Sequence, residues 1–371
     1  MDHITRMKTA LESPTVPAVQ FLDVMKNYGN VVALNDIRLS VGRGEFFTLL
    51  GPSGSGKTTL LNMISGMITP TSGQILIDGQ DVTRVPPRER GLGMVFQNYA
   101  LMPHMTVFDN VAFPLRMRKV NRHDIERRVM AALKMVRLTS FAERKPKELS
   151  GGQQQRVAIA RCLVYEPRLV LMDEPLGALD KKLRIQLQFE IKKIHEELGV
   201  TIMYVTHDQE EAMAMSDRIC VMNHARIEQV GTPRDLYFRP SNEFVAEFLG
   251  ESNIITGTVE KITDSVACVQ LPDGWRVSCA ATENEARIGS PVKIMVRPES
   301  LRVTTFDQQS GIGMRGTIED LVFVGQAVRY VISSGALRLT SVNNSGYGTP
   351  TFARGDEVWA DWSYDNSIAI Q

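Results

Sequence analysis

The segment Gly51-Pro52-Ser53-Gly54-Ser55-Gly56-Lys57-Thr58 constrains this chain more than any other, because it joins a strand-like run (Phe46 to Leu50) to a helical one (Thr59 to Met67). A glycine loop at such a junction turns successive backbone N–H groups inward, and the helix start adds partial positive charge, so the segment predicts a cradle for phosphate oxygens. Gly51, Gly54 and Gly56 allow the turns, and Pro52, Ser53, Ser55 and Thr59 complete the candidate lining. Lys57 brings a full charge to the β and γ phosphates, while the Thr58 hydroxyl is a hard oxygen ligand suited to magnesium. A purely structural glycine turn is the alternative; the flanking strand and helix weigh against it.

A second segment, LVLMDEP, reads as a buried strand from Leu169 to Met172 that ends in Asp173 and Glu174. An acid in that position reaches magnesium through water, and its neighbour orients an attacking water. On their own, adjacent acids would read as a solvated turn. From Val19 to about residue 245, short apolar runs alternate with helical stretches, the rhythm of an α/β domain. That rhythm lapses between Thr106 and Ala160 into Arg- and Lys-rich helical sequence, which predicts a helical insert spanning about 98–160. Residues 1–17 are polar and punctuated by proline, the pattern of a loosely held tail.

Bulk composition narrows the class further. Forty-two basic residues balance forty-two acidic ones, which disfavours nucleic acid as a partner. No apolar run approaches the ~18 residues of a membrane span, and the opening lacks the core of a signal peptide, so a cytosolic chain is expected. Cys162, Cys220, Cys268 and Cys279 form no CxxC pair and read as small buried apolar residues in a reducing compartment.

Leu149 to Gln153 read LSGGQ and precede the helical QQRVAIAR, so Ser150, Gly151 and Gly152 form a second small-residue anion cradle at a helix start. Such a loop is ordinarily just a cap. In a chain with a single lysine-bearing loop, a second cradle makes sense if it serves the nucleotide of a partner copy.

With these segments the chain resembles the ATP-binding subunits of ABC transporters, and residues 19 to about 245 carry the resemblance. It implies a P-loop NTPase fold of the ABC ATPase type in residues 18–249, with ATP and Mg2+ as ligands and a homodimer holding two ATP molecules between its copies. It also implies two transmembrane permease subunits, an external solute-binding protein, and a place on the cytoplasmic face of a bacterial membrane. By the same resemblance, Tyr28 (in KNYGNVVALNDI) stacks on adenine, although a strand-packing aromatic is the plainer reading. Gln97 would ligate magnesium beside Thr58 and Asp173, Gln153 would belong to the partner-facing cradle, and Asp180 would contact the opposite subunit. His207, in VTHDQEEA, would hold the γ phosphate; as an isolated histidine after an apolar strand it would otherwise be a packing residue. Ser55 stands where many relatives have cysteine, which leaves the cradle intact.

After about Gly250 the text changes to short alternating runs: ITGTVEKI, SVACVQLPDG, WRVSCA, PVKIMV, LVFVGQAVRYVIS and DEVWADWS. Residues 250–371 thus predict a small all-β, OB-like barrel. The fragment VRPES resembles the TOBE-type domain of importer ATPases. The wording NYALMPHMTVFDNVAFPLRMRK, LSGGQQQRVAIAR and THDQEEAMAMSDRI looks most like the polyamine (spermidine/putrescine) branch. None of these motifs touches cargo, so iron, sulfate, sugar and phosphonate importers remain the alternatives. A non-transport ABC ATPase would show a long coiled-coil insert or two motor units, and an adaptor with idle turnover would not need Glu174 and His207.

Overall fold

The computed structural model describes residues 16–177, 179–272, 274–281, 287–305, 312–346 and 351–370. The expected tail at 1–17 lies outside this set, apart from its last two residues. The chain divides into two compact units, Met1–Pro233 and Arg234–Gln371. Among the described residues, no helix is long and apolar enough to cross a membrane.

The first unit is built on β3 (Phe46–Leu50), whose five residues are all buried. It lies parallel to β8 (Thr201–Thr206) on one side and β9 (Arg218–Asn223) on the other. With β6 (Gly93–Val95), β7 (Leu169–Asp173) and the antiparallel edge strand β10 (Arg226–Gly231), the described sheet runs β10-β9-β3-β8-β7-β6. Strands covered on both faces read as unbroken apolar runs, which is why FFTLL, LVLM and TIMYV were legible. Their side chains alternate between two cores. Phe46, Val170, Met172, Ile202 and Tyr204 face one; Phe47, Leu49, Leu171, Met203 and Val205 face the other.

The second of these cores is closed by α1 (Lys57–Ser65) and by an antiparallel sheet, β2-β1-β4-β5, formed by β1 (Val19–Tyr28), β2 (Val31–Val41), β4 (Ser72–Ile77) and β5 (Gln80–Asp81). The first core takes in α2 (Val107–Met117), α3 (Arg122–Met135), α4 (Gly151–Leu163) and α5 (Lys181–Leu198), so the Arg- and Lys-rich stretch is helical as expected. Its helices begin where side chains can cap them: Thr106 accepts from the Asp109 N–H and Asn121 from the Asp124 N–H. Between β8 and β9 lies the short α6 (Gln209–Met215).

Two short helices, α7 (Pro233–Phe238), whose first residue ends the first unit, and α8 (Glu243–Phe248), begin the second unit. A closed barrel follows, in the order β11-β12-β13-β20-β14. Its strands are β11 (Asn253–Thr263), β12 (Val266–Gln270), β13 (Arg276–Ala280), β14 (Pro291–Val296) and β20 (Ser367–Ile370). A second described sheet, β15-β19-β16-β17-β18, comprises β15 (Arg302–Thr305), β16 (Ile312–Phe323), β17 (Ala327–Ser334), β18 (Leu337–Asn344) and β19 (Glu357–Trp362). The run LVFVGQAVRYVIS is therefore a hairpin rather than one strand, turning at Gly325, where φ is 80°.

The division between units falls earlier than the change in composition at residue 250. Arg297, the arginine of VRPES, is only 1% exposed and explains why. Its guanidinium donates to the Tyr237 carbonyl at 2.7 Å, the Ala246 carbonyl at 2.8 Å and the Ser252 hydroxyl at 2.7 Å, and lies 4.0 Å from the Tyr237 ring centroid. Ala246 also packs with Met295 and Ile370 of the barrel. A buried cation at the C-terminal end of α8 meets the helix's unpaired carbonyls, so both helices go with the β unit.

Replacing Arg297 with Met should lower the stability of the second unit by about 3 kcal/mol or more, because several carbonyls lose a charged donor. All three tryptophans, Trp275, Trp359 and Trp362, lie in that unit. Intrinsic tryptophan fluorescence during urea unfolding therefore reads it selectively, and an unchanged midpoint would remove Arg297 as the tie.

Candidate functional site

The loop after β3 is shaped by close backbone approach. A Cβ on Gly51 would lie 2.2 Å from the Met222 carbonyl oxygen, and one on Gly56 would lie 2.7 Å from the Ala33 carbonyl and 2.6 Å from Leu34 Cδ2. Gly56 has φ 104° and is the N-cap of α1, whose first turn carries no acidic residue. Gly54 has φ 81° with open space around it, so conformation rather than crowding selects glycine there. What results is a helix start with unopposed positive character and room for an anion.

Lys57 is buried, and its ammonium donates to the carbonyls of Gly51 at 2.8 Å and Pro52 at 2.9 Å, with the buried Ser55 hydroxyl at 3.5 Å. Burial pushes this ammonium below its ordinary value, while Glu174 and then Asp173 pull it back up. Ser53 and Thr58 are exposed, whereas Pro52 and Thr59 are half-buried.

Strand β7 brings the acids to the same place. Asp173 Oδ1 accepts from the Thr58 hydroxyl at 3.4 Å. Burial raises the Asp173 carboxyl, Glu174 raises it further, and Thr58 and Lys57 act against both. Glu174 has left the strand with φ 42°, held by its N–H donating to the Val205 carbonyl at 3.0 Å. Its two carboxylate oxygens then meet separate partners: Gln97 Nε2 at 3.4 Å and His207 Nδ1 at 3.2 Å. Six of the expected residues, Lys57, Thr58, Gln97, Asp173, Glu174 and His207, thus converge although they come from four separate segments.

The remaining expected residues stand apart from that cluster. Ser150 caps α4 in a reciprocal capping box: its N–H donates to Gln153 Oε1 at 2.9 Å, and its hydroxyl accepts from the Gln153 N–H at 3.4 Å. Their hydrogen bonds stay within that turn and do not reach the Gly51–Thr58 loop. A Cβ on Gly152 would meet Leu183 of α5 at 2.9 Å, whereas one on Gly151 would make ordinary contact with Leu179 at 3.5 Å. Asp180 caps α5, accepting from the Leu183 N–H at 3.0 Å. Tyr28 is 48% exposed at the end of β1, with Lys26 Nζ 4.9 Å from its ring, so it does not serve as a core packing residue.

Sequence reasoning missed the charged network behind His207, formed by Arg184, Asp208 and Glu211. The only signal for it was Asp208 followed three residues later by Glu211, a helix-start pattern. In the structure Asp208 caps α6, accepting from the Glu211 N–H at 3.1 Å.

Comparison with known proteins bears on the same residues. Residues 34–177 match the family described as ABC transporter, and residues 294–369 match the TOBE domain. The chain is 46% identical to the spermidine/putrescine import ATP-binding protein PotA of Acidothermus cellulolyticus, over 95% of this chain and 94% of that protein. It is 47% identical to the protein of the same name from Vibrio cholerae, over 85% of this chain and 84% of the other. Among solved structures, the dimeric bacterial ABC transporter cassette MJ0796 is similar, with TM-score 0.53 and 37% identity over 58% of this chain and 99% of that one. CbiO1 of Clostridium perfringens gives TM-score 0.56 and 31% identity over 59% of this chain and 90% of that one. A P-loop cradle, an acid pair, an LSGGQ helix start and a TOBE unit in one chain, with identity sustained along nearly its whole length, place this chain in the ABC transporter family, among its ATP-binding subunits.

Proposed function

We infer that the chain is the ATP-hydrolysing motor of a polyamine importer, working as a homodimer on the cytoplasmic face of the membrane. The observation that carries the motor reading is the convergence of Lys57, Thr58, Gln97 and His207 on Asp173 and Glu174. The Gly51–Thr59 loop binds the triphosphate through its N–H groups, and Lys57 places its charge on the β and γ phosphates. Glu174 is aimed from a strained backbone position and orients the water that attacks the γ phosphorus. His207, on the other Glu174 oxygen, holds the γ phosphate in line. Tyr28, exposed at the end of β1, offers its ring face to adenine.

The donors fit magnesium. A hydroxyl, a carboxylate and an amide (Thr58, Asp173 and Gln97) are hard oxygen ligands, and two carboxylates beside one lysine leave the site short of positive charge. When bound, Mg2+ neutralises charge on the β and γ phosphate oxygens.

Ser150, Gly151, Gly152 and Gln153 serve the nucleotide of the other copy, and Asp180 contacts that copy across the interface. A single chain has one lysine-bearing cradle and two anion-ready helix starts. A twofold pair therefore completes two identical sites. Two permease subunits and an external binding protein supply the membrane path and the cargo selectivity. Polyamine cargo is favoured because the resemblance to proteins named for spermidine/putrescine import runs through both units, not the motor alone. Cells lacking this chain should lose uptake of labelled spermidine and putrescine while keeping that of sulfate, iron and sugars; loss of one of the latter instead would reassign the cargo.

Glu174→Gln should bind ATP like the parent yet turn over about 10²- to 10⁴-fold more slowly, since water orientation and proton acceptance are lost together. Phosphate release measured beside nucleotide titration checks this, and a parental rate would remove Glu174 from its role. Lys57→Ala should instead weaken ATP binding itself by about tenfold or more, the loss of a charge-assisted hydrogen bond. Equal affinity in the two chains would contradict the cradle.

The shared site is tested by mixing. Gly151→Asp adds negative charge at the helix start without the collision with Leu183 that a side chain at Gly152 entails. Alone, this variant and Lys57→Ala should each be inactive. Mixed in equal amounts, they should recover about a quarter of parental hydrolysis, because half of the dimers carry one intact composite site out of two. No recovery on subunit exchange would sink the shared-site model.

A further inference from the structure

Behind the turn that carries His207 lies a partly buried charge network that the proposed hydrolysis leaves unused. Glu211 is 2% exposed and accepts from the hydroxyls of Tyr204 and Thr206, each at 2.8 Å. Thr206 Oγ1 also accepts from the Asp208 N–H at 3.0 Å. Two hydroxyls, a cap and a buried carboxylate therefore hold the segment on either side of His207 firmly to β8 and α6.

Arg184 enters this network from α5. Its Nη1 donates to Asp208 Oδ2 at 2.7 Å, and its Nη2 donates to the Leu179 carbonyl at 3.2 Å. Its Nε is buried 3.7 Å from Glu211 Oε1 with no hydrogen-bond partner. The Arg184 N–H donates to the Asp180 carbonyl at 2.9 Å, inside the helical turn that Asp180 caps. One planar fork thus spans two turns that are distant in sequence: Leu179–Asp180, before α5, and His207–Asp208, before α6.

We propose that Arg184 is a positioning residue that joins the Asp180 turn to the His207 turn, so that the place of His207 beside Glu174 depends on the turn through which Asp180 meets the partner copy. The inference rests on the roles given above to His207 and Asp180. Its physical basis is the unequal grip of the fork. The charged contact to Asp208 is short and backed by Glu211, whereas the contact to Leu179 is a neutral acceptor at the long end of the hydrogen-bond range. A displacement of the Asp180 turn by about 1 Å breaks that contact or drags the fork, and with it Asp208, the neighbour of His207. Lysine cannot replace it, since a single ammonium does not reach two acceptors in a fixed plane.

The test is a mutant cycle on the full chain, with kcat and KM for ATP read separately. Arg184→Met and Arg184→Lys should each lower kcat about tenfold to a hundredfold, with KM within about twofold of the parent, the pattern of lost positioning rather than lost binding. In a His207→Ala background the same substitutions should cause no further fall, because Arg184 acts through His207. Losses that add independently in the double variant would overturn the proposal and leave Arg184 a structural residue. If His207→Ala is impaired while both Arg184 variants turn over like the parent, this proposal fails and the assigned role of His207 stands. A parental rate for His207→Ala removes that role, and the proposal with it. Arg184→Lys keeps a cation beside Glu211, so the cycle can be completed on it should Arg184→Met not fold.

Discussion

The Gly51–Thr58 loop is held in shape by two backbone segments that press on its two ends. The Met222 carbonyl, from β9, closes against Gly51, and the Ala33 carbonyl with the Leu34 side chain, from β2, closes against Gly56. One of these neighbours belongs to the parallel sheet and the other to the antiparallel one. The loop therefore cannot keep its form unless both sheets are assembled around it. Glycine is required at these places by what surrounds them, since a methyl group would have to occupy the position of a neighbour's oxygen. The candidate site is in this sense a product of tertiary packing, although its sequence is local.

The charge of the site follows from that packing. Burial works against the Lys57 cation and against the Asp173 anion alike, and each offsets part of the other's loss. Glu174 is arranged differently. Its left-handed backbone turns its carboxylate out of the strand direction, toward Gln97 on one side and His207 on the other. One acid thus continues the line of the strand while its neighbour departs from it. Adjacent carboxylates acquire distinct surroundings without any difference in their sequence context.

Much of this was legible in the sequence, and for identifiable reasons. Buried parallel strands produce unbroken apolar runs, and a phosphate cradle needs glycines at fixed spacing, so Phe46 to Leu50, Gly51 to Thr58 and Leu169 to Glu174 could be read directly. Features that depend on distant partners could not. The allegiance of α7 and α8 is decided by Arg297, some fifty residues downstream of the carbonyls it binds. The hairpin at Gly325 was hidden inside what looked like one long apolar run. Arg184 gave no local signal, because an arginine on a charged helix face usually points to solvent and only the approach of Asp208 and Leu179 makes it otherwise. The LSGGQ segment falls between these cases: within one chain its serine and glutamine form a capping box, and the role proposed for it toward another copy's nucleotide is one that a single chain does not display.

The strand order of the barrel also bears on how the chain is made. Its seam is closed by β20, which lies between β13 and β14, yet all five strands of the second sheet come between β14 and β20 in the sequence. Synthesis proceeds from the N-terminus, so the inserted sheet emerges from the ribosome before the strand that closes the barrel around Ile255, Val292 and Ala369. Until then the edges of β13 and β14 are open to pairing with foreign strands. The central sheet of the first unit has a deferred strand too, because β8 lies between β3 and β7 and follows both in the sequence. Each unit therefore carries unpaired strand edges during translation, and chaperone protection of a nascent edge would matter for both.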